Sequence, residues 1–219
     1  MDNNLVLVDV ETRTTWPQLY AMANQGPRQG ECLEIGRNTV DTTYDLWKKM
    51  HPETLVMSNQ NEAKTDVKPE WYGTNPYASY WDTSLDPVNP VWRPDDRMHK
   101  KTIVYGIHAD GESAVVTPSK PVTRLTIGES DVIVFYDEPS FTCYAFENNF
   151  DGATRSFVAA EASEDGIPQF RDTNTGTVWR IDGIAVSGES KGARMAQMPG
   201  LWVYWFAWAS FFPDTRVLN

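Results

Sequence analysis

Asp9-Val-Glu-Thr-Arg-Thr-Thr-Trp16 returns later in the chain as Asp172-Thr-Asn-Thr-Gly-Thr-Val-Trp179. The likeness continues downstream in the same order, with only two one-residue changes in spacing. Eleven identities fall in register, and several of them are Trp, Gly or Pro, which seldom recur by accident. In the first stretch the identical residues are Asp9, Thr12, Thr14, Trp16, Ala23, Gly26, Gly30, Trp47, Pro52, Thr54 and Val56. The sequence therefore predicts an internal repeat, and a repeat governs the interpretation of the whole fold.

The repeat divides the 219-residue chain unequally. Residues 1–58 are predicted to be the final third of a first copy, residues 59–94 a connector, and residues 95–219 the remainder of the second copy. The first copy has no counterpart of residues 59–163. We therefore expect a longer natural protein, with the rest of the first copy upstream of Met1. A single domain that carries one extra tail is the alternative.

Local patterns indicate short strands joined by tight turns. Two equivalent hairpins are predicted at residues 5–16 and 169–181, and further strands at 103–107, 113–116, 132–136, 142–146 and 156–159. Residues 41–50 are predicted to form a short helix that begins at Thr42 or Thr43 and stops before Pro52. The expected fold class is β-rich α+β, with two related copies of a mainly antiparallel β unit, short helices and a truncated first copy.

Composition excludes some classes of function. The chain is 41% apolar and 22% charged, with a formal net charge of −11. This charge opposes nucleic-acid binding, because such affinity comes largely from Lys and Arg on phosphates. No apolar run approaches the ~18–20 residues that a transmembrane helix needs. Residues 201–212 come nearest, and we expect a buried helix or a pair of strands there rather than a membrane-surface contact.

Residues able to carry chemistry are scattered. Cys32 and Cys143 form no Cys-x-x-Cys spacing, so two separate thiols are expected, with a disulfide as the alternative. The three histidines do not cluster, whereas zinc requires three or four ligands at closer spacing. Gly26 and Gly30 lack the Lys-Ser/Thr that follows in a phosphate-binding loop. We expect no catalytic residue, metal ligand or cofactor in this chain.

Two groups of residues are candidates for a ligand surface. Asp9 with Trp16, and Asp172 with Trp179, qualify because both copies keep them. The competing interpretation is that each Asp caps its own turn and each Trp covers that turn. The second group consists of aromatic residues in the Pro-rich connector, which either form a platform for a sugar or other ligand or pack between the copies. Its members are Trp71, Tyr72, Tyr77, Tyr80 and Trp81.

The repeated strings, in this order, resemble a known family. Asp-x-x-Thr-x-(Thr/Ser)-x-Trp, Gly-x-x-x-Gly and Trp-x-x-x-x-Pro-(Asp/Glu)-Thr-x-Val are similar to segments of the bacterial and archaeal domain-of-unknown-function family 3179. The string Asn75-Pro-Tyr77-x-x-Tyr80 and the opening at Asp95-Asp-Arg97 are similar too. The resemblance covers nearly the whole chain. It implies two copies of a β-rich unit in a protein that is often exported, and it brings no established activity.

The chain departs from the family pattern in one place. The resemblance implies a Tyr-Cys-Pro-Leu-Cys-like segment in the first copy, which would lie upstream of Met1. Its counterpart in the second copy, residues 135–140, contains no cysteine. A redox or metal role therefore cannot be assigned to any residue present.

Two functions remain after the sequence analysis. The first is a non-catalytic β-rich binding or structural module, with an unidentified small-molecule ligand or partner. The alternative is a fragment of a thiol-redox or metal-dependent enzyme whose Cys-Pro-x-Cys site lies upstream. Because the apolar strand at residues 5–10 lacks the partners that its counterpart has, we also expect self-association through the incomplete first copy. The first residues contain no signal peptide, and the sequence assigns no compartment.

Overall fold

The computed structural model of the protein describes residues 4–33, 39–56, 75, 78–87, 89–150 and 152–218. Within these residues the chain forms fourteen strands in four sheets, two short α-helices and one 3-10 helical turn. The predicted β-rich, mainly antiparallel class is confirmed.

The strands are β1 (Val6–Val8), β2 (Thr15–Pro17), β3 (Ile103–Ala109), β4 (Glu112–Val116), β5 (Val122–Ile127), β6 (Ser130–Asp137), β7 (Thr142–Glu147), β8 (Phe157–Ala160), β9 (Gln169–Asp172), β10 (Val178–Arg180), β11 (Ala185–Ser187), β12 (Gln197–Met198), β13 (Gly200–Tyr204) and β14 (Arg216–Leu218). The helices are α1 (Tyr44–Met50) and α2 (Trp205–Phe211), and the 3-10 turn spans Ala78–Trp81.

The four sheets differ in size. Strands β1 and β2 form a two-stranded hairpin. The other three sheets have four strands each, in the orders β11-β10-β9-β8, β12-β7-β6-β5 and β13-β3-β4-β14. All neighbouring strands are antiparallel except β14, which runs parallel to β4.

Strand β6 determines how the sheets are layered, because its side chains alternate between two cores. Ile133 and Phe135 lie in a first core together with β9, β10 and helix α1. Val132 and Val134 lie in a second core with β3, β4 and β5. The sheet that contains β6 is therefore covered on both faces. This explains why β6 is a nearly continuous apolar run.

A third core lies on the opposite face of the sheet that contains β3 and β4. Val104 and Val115 pack there against Trp205 and Trp208 of α2. The helix approaches the sheet closely at Gly106, where an added β-carbon would lie 2.5 Å from the Trp208 ring. Only a residue without a side chain fits at this point of β3.

Each helix packs beside the hairpin that lies farther from it in the sequence. Helix α1, which follows β1 and β2, places Leu46 and Met50 in the first core with β9 and β10. Helix α2, which follows β9 and β10, contacts the loop after β2. There the Tyr20 hydroxyl donates to the Phe211 carbonyl oxygen at 2.8 Å, and the two ring centroids lie 4.8 Å apart. Residues 4–56 and the later part of the chain therefore contribute to the same cores.

Most predicted elements are present. The strands predicted between residues 103 and 159 coincide with β3, β4, β6, β7 and β8, and the two hairpins with β1–β2 and β9–β10. Helix α1 begins after Thr43, whose hydroxyl accepts from the Leu46 backbone N–H at 3.3 Å. No helix among the described residues is long and apolar enough to span a membrane.

The prediction for residues 201–212 was wrong in form. This stretch is neither one helix nor two strands, because β13 runs directly into α2. β13 pairs with β3, and α2 then turns back over the same sheet. Both elements lie against apolar neighbours, so periodicity gave no sign of the boundary between them. Strands β5, β11, β12 and β14 were not predicted.

Candidate functional site

The first repeated motif closes the turn between β1 and β2. The Asp9 carboxylate accepts from the Thr12 backbone N–H at 2.6 Å and from the Thr12 hydroxyl at 2.8 Å. It also accepts from the Trp16 indole N–H at 3.1 Å. The Thr12 and Thr14 hydroxyl oxygens lie 2.6 Å apart. One acidic side chain thus holds the turn and anchors the ring that covers it.

The second motif closes the turn between β9 and β10 in the same way. Asp172 accepts from the backbone N–H groups of Asn174 and Thr175, at 2.8 Å and 3.3 Å, and from the Thr175 hydroxyl at 2.8 Å. The Thr175 and Thr177 hydroxyl oxygens lie 2.9 Å apart. The acid and both threonines therefore have the same roles in the two hairpins.

A glycine packs against the second threonine in each motif. An added β-carbon on Gly26 would lie 2.7 Å from the Thr14 Cα, and one on Gly188 would lie 2.7 Å from the Thr177 Cα. The two glycines have φ values of 110° and 88°. Both the close approach and the left-handed backbone conformation require glycine at these positions.

The two Asp sites differ in their third partner. The Nη1 of Arg155, just before β8, donates to Asp172 at 2.8 Å, where Asp9 instead meets the indole of Trp16. The Trp179 indole N–H is buried and has no hydrogen-bond partner within the described part of the chain. Asp172 is fully buried, whereas Asp9 is half-buried. Arg155 therefore takes the place in the second hairpin that the tryptophan takes in the first.

The hydrogen bonds to Asp9 lead to a prediction about the pH at which its carboxyl group is protonated. The Thr12 backbone N–H, followed by the hydroxyl of the same residue and the Trp16 indole, holds the pKa of the Asp9 carboxyl well below its usual range. A lowered pKa means that these bonds contribute stability fully above the ordinary aspartate pKa of about 3.9, and that the contribution is lost as the pH falls through the lowered value. We expect Asp9 to remain ionised in acid that protonates ordinary aspartates, which a carboxyl NMR titration measures.

Thr12→Val provides the control for this titration, because it removes the hydroxyl donor and keeps the backbone N–H. The pKa of Asp9 is expected to rise in this variant. A titration of Asp9 near the ordinary aspartate value in the unchanged protein would show that the turn is not closed by these bonds in solution.

The ends of the two helices repeat a second arrangement. The Trp47 indole N–H donates to the Thr54 hydroxyl at 2.8 Å, and the Trp208 indole N–H donates to the Thr215 hydroxyl at 2.9 Å. The residues that terminate the two helices have the same ψ angle of 71°. In both places the Trp–Thr hydrogen bond therefore joins the end of a helix to the segment that follows it.

The predicted ligand-surface residues that the structure describes are dispersed. Trp16 and Trp179 are buried, with 5% and 1% of their surface exposed. Trp81 is 65% exposed in the 3-10 turn, and the Tyr80 ring lies 5.9 Å from that of Tyr204. The rest of the aromatic group lies outside the described residues: Trp71, Tyr72 and Tyr77. The structure does not bring the described aromatic candidates together with the two Asp turns.

A cleft of about 1000 Å³ opens beside α2, where the lining residues include Pro90, Arg97, Lys100 and Phe206. Its cations are paired, because Arg97 bonds Asp95 at 2.7 Å and Lys100 bonds Asp86. Among the described residues, no group of three His, Cys, Asp or Glu is arranged to hold a metal ion. Burial raises the pKa of the Cys143 thiol well above its usual value. A thiol of this kind is kept from the thiolate form that redox chemistry needs.

Sequence reasoning missed Arg155, which lies on the Asp172 carboxylate. The repeated sequence motifs could not show this residue, because Arg155 precedes residues 172–217, the stretch that repeats motifs of residues 9–56. The only local sign was a cation placed shortly before a predicted strand.

Comparison with known proteins identifies one family. No curated protein and no solved structure matches the chain. A family model described as a protein of unknown function matches residues 1–215, which is nearly the whole chain. The resemblance drawn from the order of the Asp, Gly and Trp motifs is thereby confirmed, and the chain belongs to the DUF3179 family.

Proposed function

We propose that this protein is a non-catalytic β-rich binding or structural module, built from two related copies of one unit of which the first is shorter. The observation that carries the proposal is the repetition of turn chemistry. Asp9 accepts from the backbone N–H and the hydroxyl of Thr12, and Asp172 accepts from the same two groups of Thr175. Residues that recur with the same turn-closing bonds are accounted for by structure in both places.

The loops after the two hairpins support a common origin. The Gly30 N–H bonds the Ala23 carbonyl at 2.9 Å, and the Gly192 N–H bonds the Ala185 carbonyl at 2.9 Å. In both loops this glycine has a φ of 89°. Together with the matched helix ends, these bonds extend the correspondence from the hairpins to residue 54 and its counterpart, residue 215.

The electrostatics of the two acids support a structural role over catalysis. A general acid or base must be able to contact a substrate with a carboxyl oxygen. Asp172 is fully buried, and both of its oxygens accept internal hydrogen bonds. Asp9 has a lowered pKa because its bonds favour the charged form, whereas a general base is usually poised closer to neutral pH.

The experiment that tests this proposal replaces Asp172 by asparagine. The amide oxygen can still accept from the backbone of the turn, but the bonds to Arg155 and to the Thr175 hydroxyl are weakened or lost. We expect the free energy of unfolding to fall by about 1–3 kcal/mol, the usual range when a buried polar partner is left unsatisfied. Urea unfolding monitored by circular dichroism measures the change.

Asp9→Asn is the matched control, because Asp9 holds the equivalent turn with a more exposed side chain. A smaller loss is expected for this variant. If Asp172→Asn unfolded at the same urea concentration as the unchanged protein, the carboxylate would not hold the turn. That result would contradict a structural role for the repeated Asp residues.

A further inference from the structure

The turn between β6 and β7 places a large ring in an unusual backbone conformation. Phe141 has a φ of 54°, and among the described non-glycine residues with positive φ it alone carries a large apolar side chain. This region of the backbone favours glycine or asparagine, so phenylalanine is strained there. Backbone strain of this kind is concentrated at ligand clamps and other functional sites. The strained residue is therefore a starting point for locating a binding site.

Strand β13 holds Phe141 in this position. The Trp202 indole N–H donates to the Phe141 carbonyl oxygen at 3.1 Å, and the two rings stack with their centroids 4.2 Å apart. The Tyr136 ring stands at 80° to that of Phe141, with the centroids 6.5 Å apart. Trp202 and Tyr136 in turn pack against the second core. The Phe141 ring is therefore fixed before any ligand binds.

One face of the fixed ring is open to solvent. Trp202 stacks on the other face, yet Phe141 is 43% exposed. A ring that served only to join the two sheets would stabilise them most when fully buried, because its contribution grows with the apolar area removed from water. Strain and exposure together indicate that Phe141 presents its free face to a ligand.

A carboxylate lies beside the ring. The Phe141 N–H donates to the Glu138 carbonyl oxygen at 3.1 Å, so these two residues stand at the two ends of one turn. The Glu138 side chain is exposed. Burial raises the pKa of the Tyr136 hydroxyl, and the charge of Glu138 raises it further, which places this carboxylate near the same aromatic group. The neighbouring Asp137 is occupied, because it accepts from the Ser140 backbone N–H at 3.1 Å. Glu138 is therefore the carboxylate that a ligand can reach.

The protein itself shows which group fits a ring that has a carboxylate beside it. At three places an arginine lies over an aromatic ring, with its guanidinium carbon 4.2–5.1 Å from the ring centroid, and pairs with a carboxylate at 2.7–2.8 Å. Given as arginine, ring and acid, the sets are Arg28, Trp16 and Glu31; Arg97, Trp205 and Asp95; and Arg155, Phe150 and Asp172. A planar guanidinium can stack on a ring and donate to a carboxylate at the same time. Phe141 and Glu138 supply the ring and the acid of such a set.

We propose that Phe141 and Glu138 form a binding site for an arginine side chain of a basic partner protein. The guanidinium stacks on the free face of Phe141 and donates to the Glu138 carboxylate. The formal net charge of −11 favours a partner of opposite charge over a second copy of this chain, because complementary charge steers association. The inference rests on the proposed function of a binding module and names the partner by its chemistry.

The test is an NMR titration of the full chain with the peptide acetyl-Gly-Arg-Gly-Arg-Gly-amide. An ionic strength of about 0.15 M is used, because it screens attraction between exposed charges beyond about 8 Å. Saturable shifts are expected for the Trp202 indole N–H and the Phe141 amide, since both belong to the stacked pair. The same peptide with citrulline in place of arginine keeps the planar shape without the charge. It is expected to bind at least about fivefold more weakly, because the cation–π contact and the ion pair are both lost.

Two variants of the protein separate the ring from the acid. Phe141→Asn removes the ring and suits the left-handed backbone, whereas Glu138→Gln removes the charge and keeps the carbonyl oxygen that closes the turn. Each is expected to weaken binding of the arginine peptide about two- to fivefold, the effect of one cation–π contact or ion pair at an exposed site. Glu129→Gln is the matched control, because it makes the same charge change at the opposite end of β6. This control is expected to leave the affinity unchanged.

Four results would overturn the proposal. The first is absence of saturable shifts at Phe141 and Trp202, and the second is equal binding of the citrulline peptide. The third is an equal loss of affinity in Glu129→Gln and Glu138→Gln, since the peptide would then be attracted by the acidic surface as a whole. The fourth is a shift of the same signals with a neutral methyl glycoside and not with the arginine peptide, because the ligand would then be a sugar.

Glu138→Gln decides the outcome alone if Phe141→Asn does not fold. The proposed function is tested separately by the unfolding of Asp172→Asn, which needs no peptide and concerns a different turn. Failure of the arginine site and failure of the proposed function are therefore distinguishable.

Discussion

Replacement of Trp179 by alanine is expected to lower the free energy of unfolding by about 3–5 kcal/mol, the usual cost of removing a large buried aromatic ring. Trp179 is 1% exposed and belongs to the first core. Its ring lies 5.5 Å from that of Phe150 and opposes Phe170 across the ladder. The core is enclosed by two sheets and α1, so it cannot collapse easily around the cavity. Chemical unfolding measures the loss.

Trp179→Phe separates packing from hydrogen bonding. The Trp179 indole N–H is buried with no partner in the described chain, and phenylalanine removes this donor while keeping an aromatic ring. We expect a much smaller loss than for alanine. Trp16→Ala is the second comparison, because Trp16 lies outside the three cores but bonds Asp9. A loss below about 1 kcal/mol for Trp179→Ala would contradict the buried position of the ring.

Trp208→Ala is expected to cost a similar amount, about 3–5 kcal/mol, because the ring fills the third core between α2 and the sheet. Gly106→Ala should destabilise by about 1–3 kcal/mol through overpacking, since the new methyl group would lie 2.5 Å from that ring. Both changes affect the same volume, which the Trp208 ring occupies beside Gly106. Combined, they should cost less than the sum of the single changes, because the methyl group then meets a cavity.

Thr215→Val is the control for this series. It removes the acceptor of the Trp208 indole N–H, which lies at 2.9 Å, and leaves the ring in place. The expected loss is about 1–3 kcal/mol. Strict additivity of Gly106→Ala and Trp208→Ala would mean that the helix does not approach the strand at this point. Additivity is measured by equilibrium unfolding of the unchanged protein, the two single variants Gly106→Ala and Trp208→Ala, and the double variant.

The repeated residues predicted the local structure well, because each acts over a short distance in the chain. Thr12 bonds Asp9 three positions earlier in the chain, and Trp47 bonds Thr54 seven positions later. Such interactions recur wherever the same side chains recur at the same spacing. The hairpins and helix α1 could therefore be located from the sequence alone.

Long-range packing could not be derived in this way. No local pattern indicated that α1 would lie on β9 and β10, because this contact joins segments more than one hundred residues apart. The boundary between β13 and α2 was equally hidden, since residues 200–211 are mostly apolar and face protein on several sides. The role of Arg155 depends on the pairing of β8 with β9, which no local pattern encodes.

The crossed placement of helices and hairpins makes the cores of the protein depend on segments from both the early and the late part of the described chain. Leu46 of the early segment completes the first core, and Tyr20 of that segment closes over the end of α2. Loss of the early segment would therefore open two cores that consist mostly of later residues. The described parts of the chain should unfold in one cooperative transition, and a backbone break between them should leave two fragments that remain associated.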